Sequence, residues 1–158
     1  MSIVLVTGCS SGFGKYAAVE FARRGDTVFA SMRDASKSGP LLDEAKSAGV
    51  SVEIVLLDVN DGASAETAVS QVLSEAERLN VLVNNAGISL SGPVEDFDDD
   101  EVAPILETNV YGLLRVTRAT LPAMRSQGGG TIINVSSRHL AIVRSHAAPW
   151  GAPPGGRA

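Results

Sequence analysis

Short aliphatic runs alternate with longer segments of mixed polarity along most of the chain. The runs lack the regular polar alternation of half-exposed strands, and continuous apolar runs are typical of parallel strands buried on both faces. We therefore predict five strands at residues 3–6, 27–30, 52–57, 81–83 and 131–135.

The segments between these runs predict helices. One of them has an apolar stripe at the spacing of a helix, formed by Val69, Val72, Leu73 and Ala76. The longest is predicted to turn five apolar residues inward: Val102, Ile105, Leu106, Leu113 and Leu114. The predicted helices cover residues 12–24, 39–49, 61–79 and 98–126.

Regular alternation of strand and helix predicts right-handed βαβ units and a parallel sheet covered on both faces. The fold class is therefore predicted to be α/β, with a doubly wound, Rossmann-like sheet in the strand order 3-2-1-4-5. The sheet is predicted to be incomplete, because no later strands and helices follow the fifth strand. The fifth strand is then an unprotected edge.

A glycine-rich turn joins the first predicted strand to the first helix. It reads Thr7-Gly8-Cys9-Ser10-Ser11-Gly12-Phe13-Gly14. Backbone amides at the start of a helix, together with the helix dipole, attract a phosphate group. The alternative is a tight turn without a ligand. A P-loop is not favoured, because Tyr16 stands where a magnesium-binding Ser or Thr is needed.

Four further motifs follow this turn in order: Asp58-Val59, Asn84-Asn85-Ala86-Gly87, Asn109 and Ser136-Ser137. The ordered set, with Thr7-Gly8-x-x-x-Gly12-x-Gly14, resembles the short-chain dehydrogenase/reductase family over about residues 2–137. The resemblance implies an oxidoreductase that passes hydride between a nicotinamide cofactor and a small carbonyl or alcohol substrate.

The resemblance also implies a role for each matching residue. Asp58 would bond the adenine amino group, with Val59 beside the ring. Asn109 would hold a water in a proton relay, and Ser137 would bond the substrate carbonyl. Residues around the phosphates and adenosine ribose would be Gly8, Ser10, Ser11, Gly12, Phe13 and Gly14. Those lining the nicotinamide half and bracing the fourth strand would be Asn85, Ala86 and Gly87.

Structural alternatives remain open for three of the motif residues. Asp58 could cap the next helix instead of binding adenine. Asn84 is expected to fix backbone rather than to touch a ligand. Ser136 is expected to be structural, because the family's catalytic serine resembles the second of such a pair.

The choice between NADP and NAD depends on the end of the second strand. An acidic residue there would bond the ribose hydroxyls of NAD and repel a 2′-phosphate. We place that position at about Ser31, which is uncharged, and Arg33 follows it. An arginine can bind a 2′-phosphate through a charged bidentate contact, so NADP is favoured over NAD. The alternative is that Arg33 is a solvated surface residue.

The chain departs from the family where the acid/base pair is expected. The resemblance implies a tyrosine about a dozen residues after Ser137 and a lysine four residues later. Trp150 and Pro154 stand near those positions. The two tyrosines of the chain lie earlier, and no lysine follows Lys46. We therefore expect this chain to be catalytically impaired.

Residues 138–158 show no amphipathic period and are rich in Arg, Ala, Pro and Gly. We predict a partial dinucleotide-binding domain over 1–137 and a disordered or out-of-frame tail over 138–158. The abrupt change suggests a frameshift, which the coding DNA beyond codon 137 would test: an alternative frame should continue into Tyr-x-x-x-Lys.

Composition narrows the partners. A net charge of −5 argues against a nucleic-acid binder. The single cysteine, Cys9, fits a reducing, cytoplasmic location and is expected to be a small buried residue rather than a nucleophile. No apolar stretch is long enough for a membrane span. A homo-oligomer could form through the helix at 98–126, which the family uses in its dimers.

An acidic run precedes that helix: Glu95, Asp96, Asp98, Asp99, Asp100 and Glu101. We expect it to stabilise the start of the helix rather than to bind a metal, because negative charge is favourable there.

Three functions stay open: the oxidoreductase, a cofactor-binding remnant without catalysis, and a regulatory or interaction module. A methyltransferase on a similar fold is less favoured, because it needs an acid at the end of the second strand.

Overall fold

The structure is a computed structural model that describes residues 1–90 and 92–136. Ser137 and the predicted tail at 138–158 lie outside these residues. The five strands are β1 (Ile3–Val6), β2 (Thr27–Met32), β3 (Glu53–Leu56), β4 (Val81–Asn84) and β5 (Thr131–Asn134). The helices are α1 (Gly12–Arg23), α2 (Gly39–Ser47), α3 (Gly62–Ala76), α4 (Asp99–Leu106) and α5 (Leu113–Ser126).

Three short helical turns complete the description. Two are 3-10 turns, at Ala35–Ser38 and Val94–Asp96. The third is a π-helical turn, Glu107–Gly112, which joins α4 directly to α5. The segment predicted as one helix over 98–126 is therefore helical throughout but divided into three parts.

The five strands form one parallel sheet in the order β3-β2-β1-β4-β5, as predicted. β1 lies at the centre, between β2 and β4. The chain moves outward from β1 to β3 and then crosses back to β4, so the direction of winding reverses beside β1. In such sheets the ligand crevice lies at this switch point, outside the carboxyl ends of the strands.

Side chains of β1 alternate between two hydrophobic cores. Ile3 and Leu5 face the core that includes residues of α3 and α5. Val4 and Val6 face the core that includes residues of α1 and α2. All four are buried, which accounts for the continuous apolar run in the sequence. β1 is therefore fixed from both sides, and the turn that follows it starts from a rigid base.

The second strand is longer than predicted. β2 continues past Ala30 to Met32, because Ser31 and Met32 pair with Val55 and Leu56 of β3. Ser31 is thus an interior strand residue, fully buried, and not the strand-end residue that the sequence suggested. The position after the strand belongs to Arg33.

The inward face predicted for the long helix is wrong. None of its five predicted residues (Val102, Ile105, Leu106, Leu113, Leu114) is fully buried, and Leu106 is 49% exposed. The buried residues of this segment are instead Thr108, Gly112, Val116, Thr120 and Met124. A π-helical turn widens the helix and changes the angular position of every residue after it, so a stripe drawn at 3.6 residues per turn fails across it.

β5 is the least covered strand of the sheet. Ile132 is partly buried against the α3 and α5 core, whereas Ile133 is 39% exposed. Within residues 1–90 and 92–136, no strand pairs with its outer edge. No helix in this part of the chain is both long and apolar enough to cross a membrane.

The start of α4 has a reciprocal cap. Asp98 Oδ1 accepts a hydrogen bond from the Glu101 amide at 2.9 Å, and Glu101 Oε2 accepts one from the Asp98 amide at 3.2 Å. The capping interpretation of the acidic run is confirmed. In the described ranges, no three His, Cys, Asp or Glu side chains are close enough together to hold a metal ion.

The capping arrangement gives a stability prediction. Asp98→Ala should lower the free energy of unfolding by about 1 kcal/mol, because one orphan amide of α4 loses its acceptor. Asp99→Ala, one position further on and outside the cap, should change it by less than about 0.5 kcal/mol. Urea unfolding followed by circular dichroism measures both. Equal losses in the two variants would contradict the cap.

Candidate cofactor site

The carboxyl ends of β1 to β4 bring the sequence motifs to one edge of the sheet. The Gly8–Gly14 turn follows β1, Arg33 follows β2, Asp58 and Val59 follow β3, and Asn85 to Gly87 follow β4. Parallel strands necessarily present these ends together. The structure therefore gathers the predicted cofactor residues at one crevice.

Thr7 and Asn85 fasten the β1 turn to the β4 turn. Thr7 is 1% exposed, and its Oγ1 accepts hydrogen bonds from the amides of Asn85 and Ala86, both at 2.9 Å. In return Asn85 Nδ2 donates to the carbonyls of Thr7 at 2.9 Å and Gly8 at 3.2 Å. These reciprocal bonds hold the two turns at a fixed separation.

Asn84 does not fix backbone as expected. Its Nδ2 donates to two side chains, Thr117 Oγ1 at 3.1 Å and Asn134 Oδ1 at 2.9 Å. Asn84 still belongs to β4, so its side chain points from the sheet toward α5 and β5. Asn85 lies just beyond the strand, and it is the residue that binds backbone.

Two glycines of the turn are required by the packing. Gly8 has φ +73°, and a Cβ there would lie 2.8 Å from the Cα of Ala86. A Cβ on Gly14 would collide with the Gly8 carbonyl oxygen and with the side-chain nitrogen Nδ2 of Asn85. Any larger residue at either position would push the two turns apart.

The start of α1 offers free donors toward open space. Ser11 occupies the N-cap position, but its side chain makes no capping hydrogen bond. No heavy atom outside its chain neighbours lies within 4 Å of where a Cβ on Gly12 would be. Uncapped amides beside an open glycine are what a phosphate needs, so the turn fits the phosphates of a dinucleotide. Ser10 is partly buried there, and Phe13 is 83% exposed.

The end of β2 carries a cation and an acid. Arg33 is exposed. Asp34, which no motif in the sequence singles out, accepts hydrogen bonds from Ser36 Oγ at 2.7 Å and from the Ser36 amide at 2.9 Å. These two hydrogen bonds hold the pKa of the Asp34 carboxyl below its usual value. The acid is therefore engaged in capping the 3-10 turn Ala35–Ser38.

Asp58 and Val59 form the turn after β3. Asp58 is partly buried, and its Oδ1 accepts from the Asn60 amide at 2.9 Å. The helix-cap alternative for Asp58 is wrong, because Asp61 caps α3 through the Ala63 amide. Val59 is 6% exposed. The Asp58 side chain thus stabilises its own turn, while the Asp58 amide ties that turn to α3 by donating to Ser64 Oγ at 2.9 Å.

Asn109 lies in the π-helical turn and faces the β4 turn. Its Oδ1 accepts from the Ile88 amide at 2.9 Å, and its Nδ2 donates to the Ile88 carbonyl at 2.8 Å. Both groups of the side chain are thus bound to backbone. Ser137, the other predicted catalytic residue, lies outside the described residues.

A model of the short chain dehydrogenase family matches residues 2–153. The chain belongs to that family. The match extends past residue 138, where the predicted tail begins, into a stretch outside the described residues.

Two relatives resemble this chain to a similar degree of sequence identity. The chain is 37% identical over 135 residues to 3-ketodihydrosphingosine reductase of Bacteroides thetaiotaomicron, covering 85% of the chain and 46% of the relative. It is 38% identical over 142 residues to 17-beta-hydroxysteroid dehydrogenase type 1 of Homo sapiens, covering 86% and 43%. The chain thus spans less than half the length of these two relatives.

Solved structures agree with the fold. A short-chain dehydrogenase from Streptomyces avermitilis superposes with a TM-score of 0.76 at 38% identity, covering 86% of this chain and 49% of that one. The F189W variant of actinorhodin polyketide ketoreductase, solved with NADPH, superposes with a TM-score of 0.83 at 33% identity, covering 94% and 58%.

Neither of the two tyrosines of the chain belongs to a Tyr-x-x-x-Lys pair. Tyr16 is 57% exposed on α1, and Lys15 Nζ lies 4.4 Å from its ring centroid. That lysine also pairs with Glu44 at 3.3 Å. Tyr111 is 54% exposed in the π-helical turn, with Arg115 four residues later. Neither tyrosine has a lysine on the next turn of its helix.

Cys9 lies within the Gly8–Gly14 turn and is fully buried, as expected. Its Sγ donates to the Val6 carbonyl at 3.2 Å, and its amide donates to the Ser31 carbonyl at 2.8 Å. Burial raises the pKa of the Cys9 thiol to about 12. The thiol is neutral at physiological pH, so it acts as a small packing residue that ties the turn to β2.

The Thr7 bonds give a testable cost. Thr7→Val keeps the volume but leaves the Asn85 and Ala86 amides without an acceptor, so the free energy of unfolding should fall by about 3 kcal/mol. Thr7→Ser keeps the hydroxyl and should lose only about 1 kcal/mol. Urea unfolding compares the two variants. A serine variant as unstable as the valine variant would show that the hydroxyl does not hold the turns.

Proposed function

We propose that this chain is the NADP(H)-binding part of an oxidoreductase that acts on a carbonyl or alcohol substrate, and that the chain as given is catalytically impaired. The observation that carries the proposal is the phosphate turn. Its free helix amides face open space at Gly12, and Thr7 and Asn85 lock it against the β4 turn. Family membership supports the same assignment.

The proposed binding uses this chain's groups in sequence along the crevice. Amides at the start of α1, with Ser10 and Ser11, would hold the phosphates. Asp58 would accept from the adenine amino group, and Val59 would support the ring. Ala86 and Gly87 would back the nicotinamide. When bound, the cofactor supplies a hydride donor or acceptor.

A preference for NADP over NAD rests on the charge after β2. Arg33 is exposed and able to reach a 2′-phosphate, whereas the carboxylate of Asp34 already accepts two hydrogen bonds from Ser36. The Arg33 guanidinium offers a 2′-phosphate a charge-assisted contact that NAD, which lacks this phosphate, cannot use.

A fluorescence titration with NADPH and NADH tests cofactor binding and preference. NADPH should saturate. Arg33→Ala should weaken NADPH binding about tenfold, the loss of one charge-assisted contact, and leave NADH binding within about twofold. Lys37→Ala, which removes a nearby exposed cation from the 3-10 turn, is the matched control and should change neither.

Two results would count against this proposal. Absence of a saturable NADPH signal would exclude both the oxidoreductase and the cofactor-binding remnant, and would favour an interaction module. Equal loss of NADPH and NADH binding in Arg33→Ala would remove the 2′-phosphate contact from the proposal.

The proposed impairment follows from missing proton chemistry. The family resemblance requires a tyrosine that exchanges the carbonyl proton and a lysine that lowers its pKa. Trp150 cannot exchange a proton at neutral pH, and Pro154 carries no charge.

The relatives named above are a 3-ketodihydrosphingosine reductase and a 17-beta-hydroxysteroid dehydrogenase, which supports a carbonyl or alcohol as the substrate of the intact enzyme.

NADPH oxidation with a panel of aldehydes, cyclic ketones and steroid ketones tests the impairment. We expect no carbonyl-dependent rate above background, even where NADPH binds. A reproducible, substrate-dependent rate would overturn this part of the proposal and would require another proton donor. NADPH binding without turnover would support the second candidate, a non-catalytic cofactor-binding remnant, which the loss of Tyr and Lys favours.

A further inference from the structure

The π-helical turn Glu107–Gly112 contacts both ends of the crevice. One end is the β3 turn, with Asp58 and Val59, and the other is the β4 turn, with Gly87 and Ile88. These ends come from strands that are not neighbours, because β2 and β1 lie between β3 and β4. The sheet alone therefore does not fix the turns directly against each other.

On the β3 side the π-helical turn is held by a hydrogen bond and by close packing. Asn60 Nδ2 donates to Thr108 Oγ1 at 3.1 Å, and Thr108 is 8% exposed. Gly112 lies directly on Val59, since a Cβ on this glycine would come within 2.8 Å of Val59 Cγ2. This close approach is possible only for glycine.

An ion pair closes the π-helical turn from outside. Arg115 Nη2 lies 2.6 Å from Glu107 Oε1, so the first residue of the turn is tied to the first turn of α5. Arg115 Nη1 also approaches the Val59 carbonyl at 3.5 Å. Both contacts hold the turn over the Val59 backbone.

On the β4 side, Asn109 makes the side-chain hydrogen bonds between the two turns within the described residues. Its side chain makes both hydrogen bonds to the Ile88 backbone, in the manner of a strand partner. Thr108 and Asn109 are consecutive, and consecutive side chains on a helix point in different directions. One residue therefore reaches the β3 turn while the next reaches the β4 turn.

We propose that this π-helical turn is a spacer that couples the two halves of the cofactor crevice, with Thr108 and Asn60 as positioning residues. The bond between them sets the height of the turn above β3, and Asn109 transmits that position to Ile88. The functional consequence, tighter binding of the whole dinucleotide, rests on the proposed function. The mechanical coupling from Asn60 to Ile88 does not.

Amide hydrogen exchange of the full chain without ligand tests the coupling. Asn60→Ala removes the exposed partner of Thr108 and should speed exchange of the Ile88 amide about fivefold, the size expected for losing one hydrogen bond. The Asn85 amide, held by Thr7, should not change. Gln71→Ala removes a comparable exposed amide bond, to Glu75 on α3, and should leave Ile88 unchanged.

Two Thr108 variants identify the bond. Thr108→Val should accelerate Ile88 exchange as Asn60→Ala does, and Thr108→Ser should restore the native rate. The double variant Asn60→Ala/Thr108→Val should be no faster than either single variant, since both remove one interaction. Unchanged Ile88 exchange in Asn60→Ala, or additive effects in the double variant, would overturn the proposal.

Binding of cofactor fragments tests the functional consequence. In Asn60→Ala, the affinities for 2′,5′-ADP and for reduced nicotinamide mononucleotide should stay within about twofold, because each half-site keeps its own contacts. Affinity for intact NADPH should fall about tenfold, because the linked ligand needs both half-sites at the right separation. Equal losses for fragments and NADPH would reject the spacer role. A native chain that binds none of them would instead reject the proposed function, while the exchange result would still decide the coupling.

Discussion

The crevice depends on one hydroxyl group. Thr7 Oγ1 accepts hydrogen bonds from two successive backbone amides of the β4 turn. The Asn85 side chain donates two hydrogen bonds to backbone carbonyls of the β1 turn. Apolar packing fixes the strands, but packing has no direction and cannot set the distance between two loops. Hydrogen bonds have that direction. The close approach of Gly8 to Ala86 is tolerable because these bonds hold it.

Other contacts support the turns that Thr7 and Asn85 hold together. Cys9, one residue past Gly8, joins the turn to β2 through the Ser31 carbonyl. The π-helical turn closes the opposite side through Val59 and Ile88. Groups that would touch a ligand make few internal contacts, as at Gly12 and Arg33, whereas the groups that support them are almost fully bonded.

The sequence was sufficient to predict the features that depend on local pattern. Five apolar runs and the helical segments between them predict the parallel sheet in the observed order, and the spacing of glycines predicts the tight turn in which Gly8 and Gly14 are closely packed. The sequence-based prediction failed where a contact with a residue distant in the chain determines the local structure. β2 reaches Met32 because β3 pairs with it, and no local signal at Ser31 reveals that. No residue type in the sequence marks the π-helical turn Glu107–Gly112. The inward face of the long helix was therefore assigned incorrectly. Asn84 was expected to bind backbone, but it lies inside β4 and binds side chains, whereas Asn85, one residue beyond the strand, binds the backbone of the β1 turn.

The bonds from Thr7 join residues that are more than half the length of the described chain apart. Its partners are 78 and 79 residues away, and the β1 strand can pair with β4 only when residue 81 has been made. The Gly8–Gly14 turn therefore acquires its shape only after β4 and the residues that follow it have been made, long after its own residues. Contacts so distant in sequence form slowly, because a long loop must close first. A dinucleotide that recognises the finished turn would then distinguish molecules in which β1 and β4 are paired from those in which they are not.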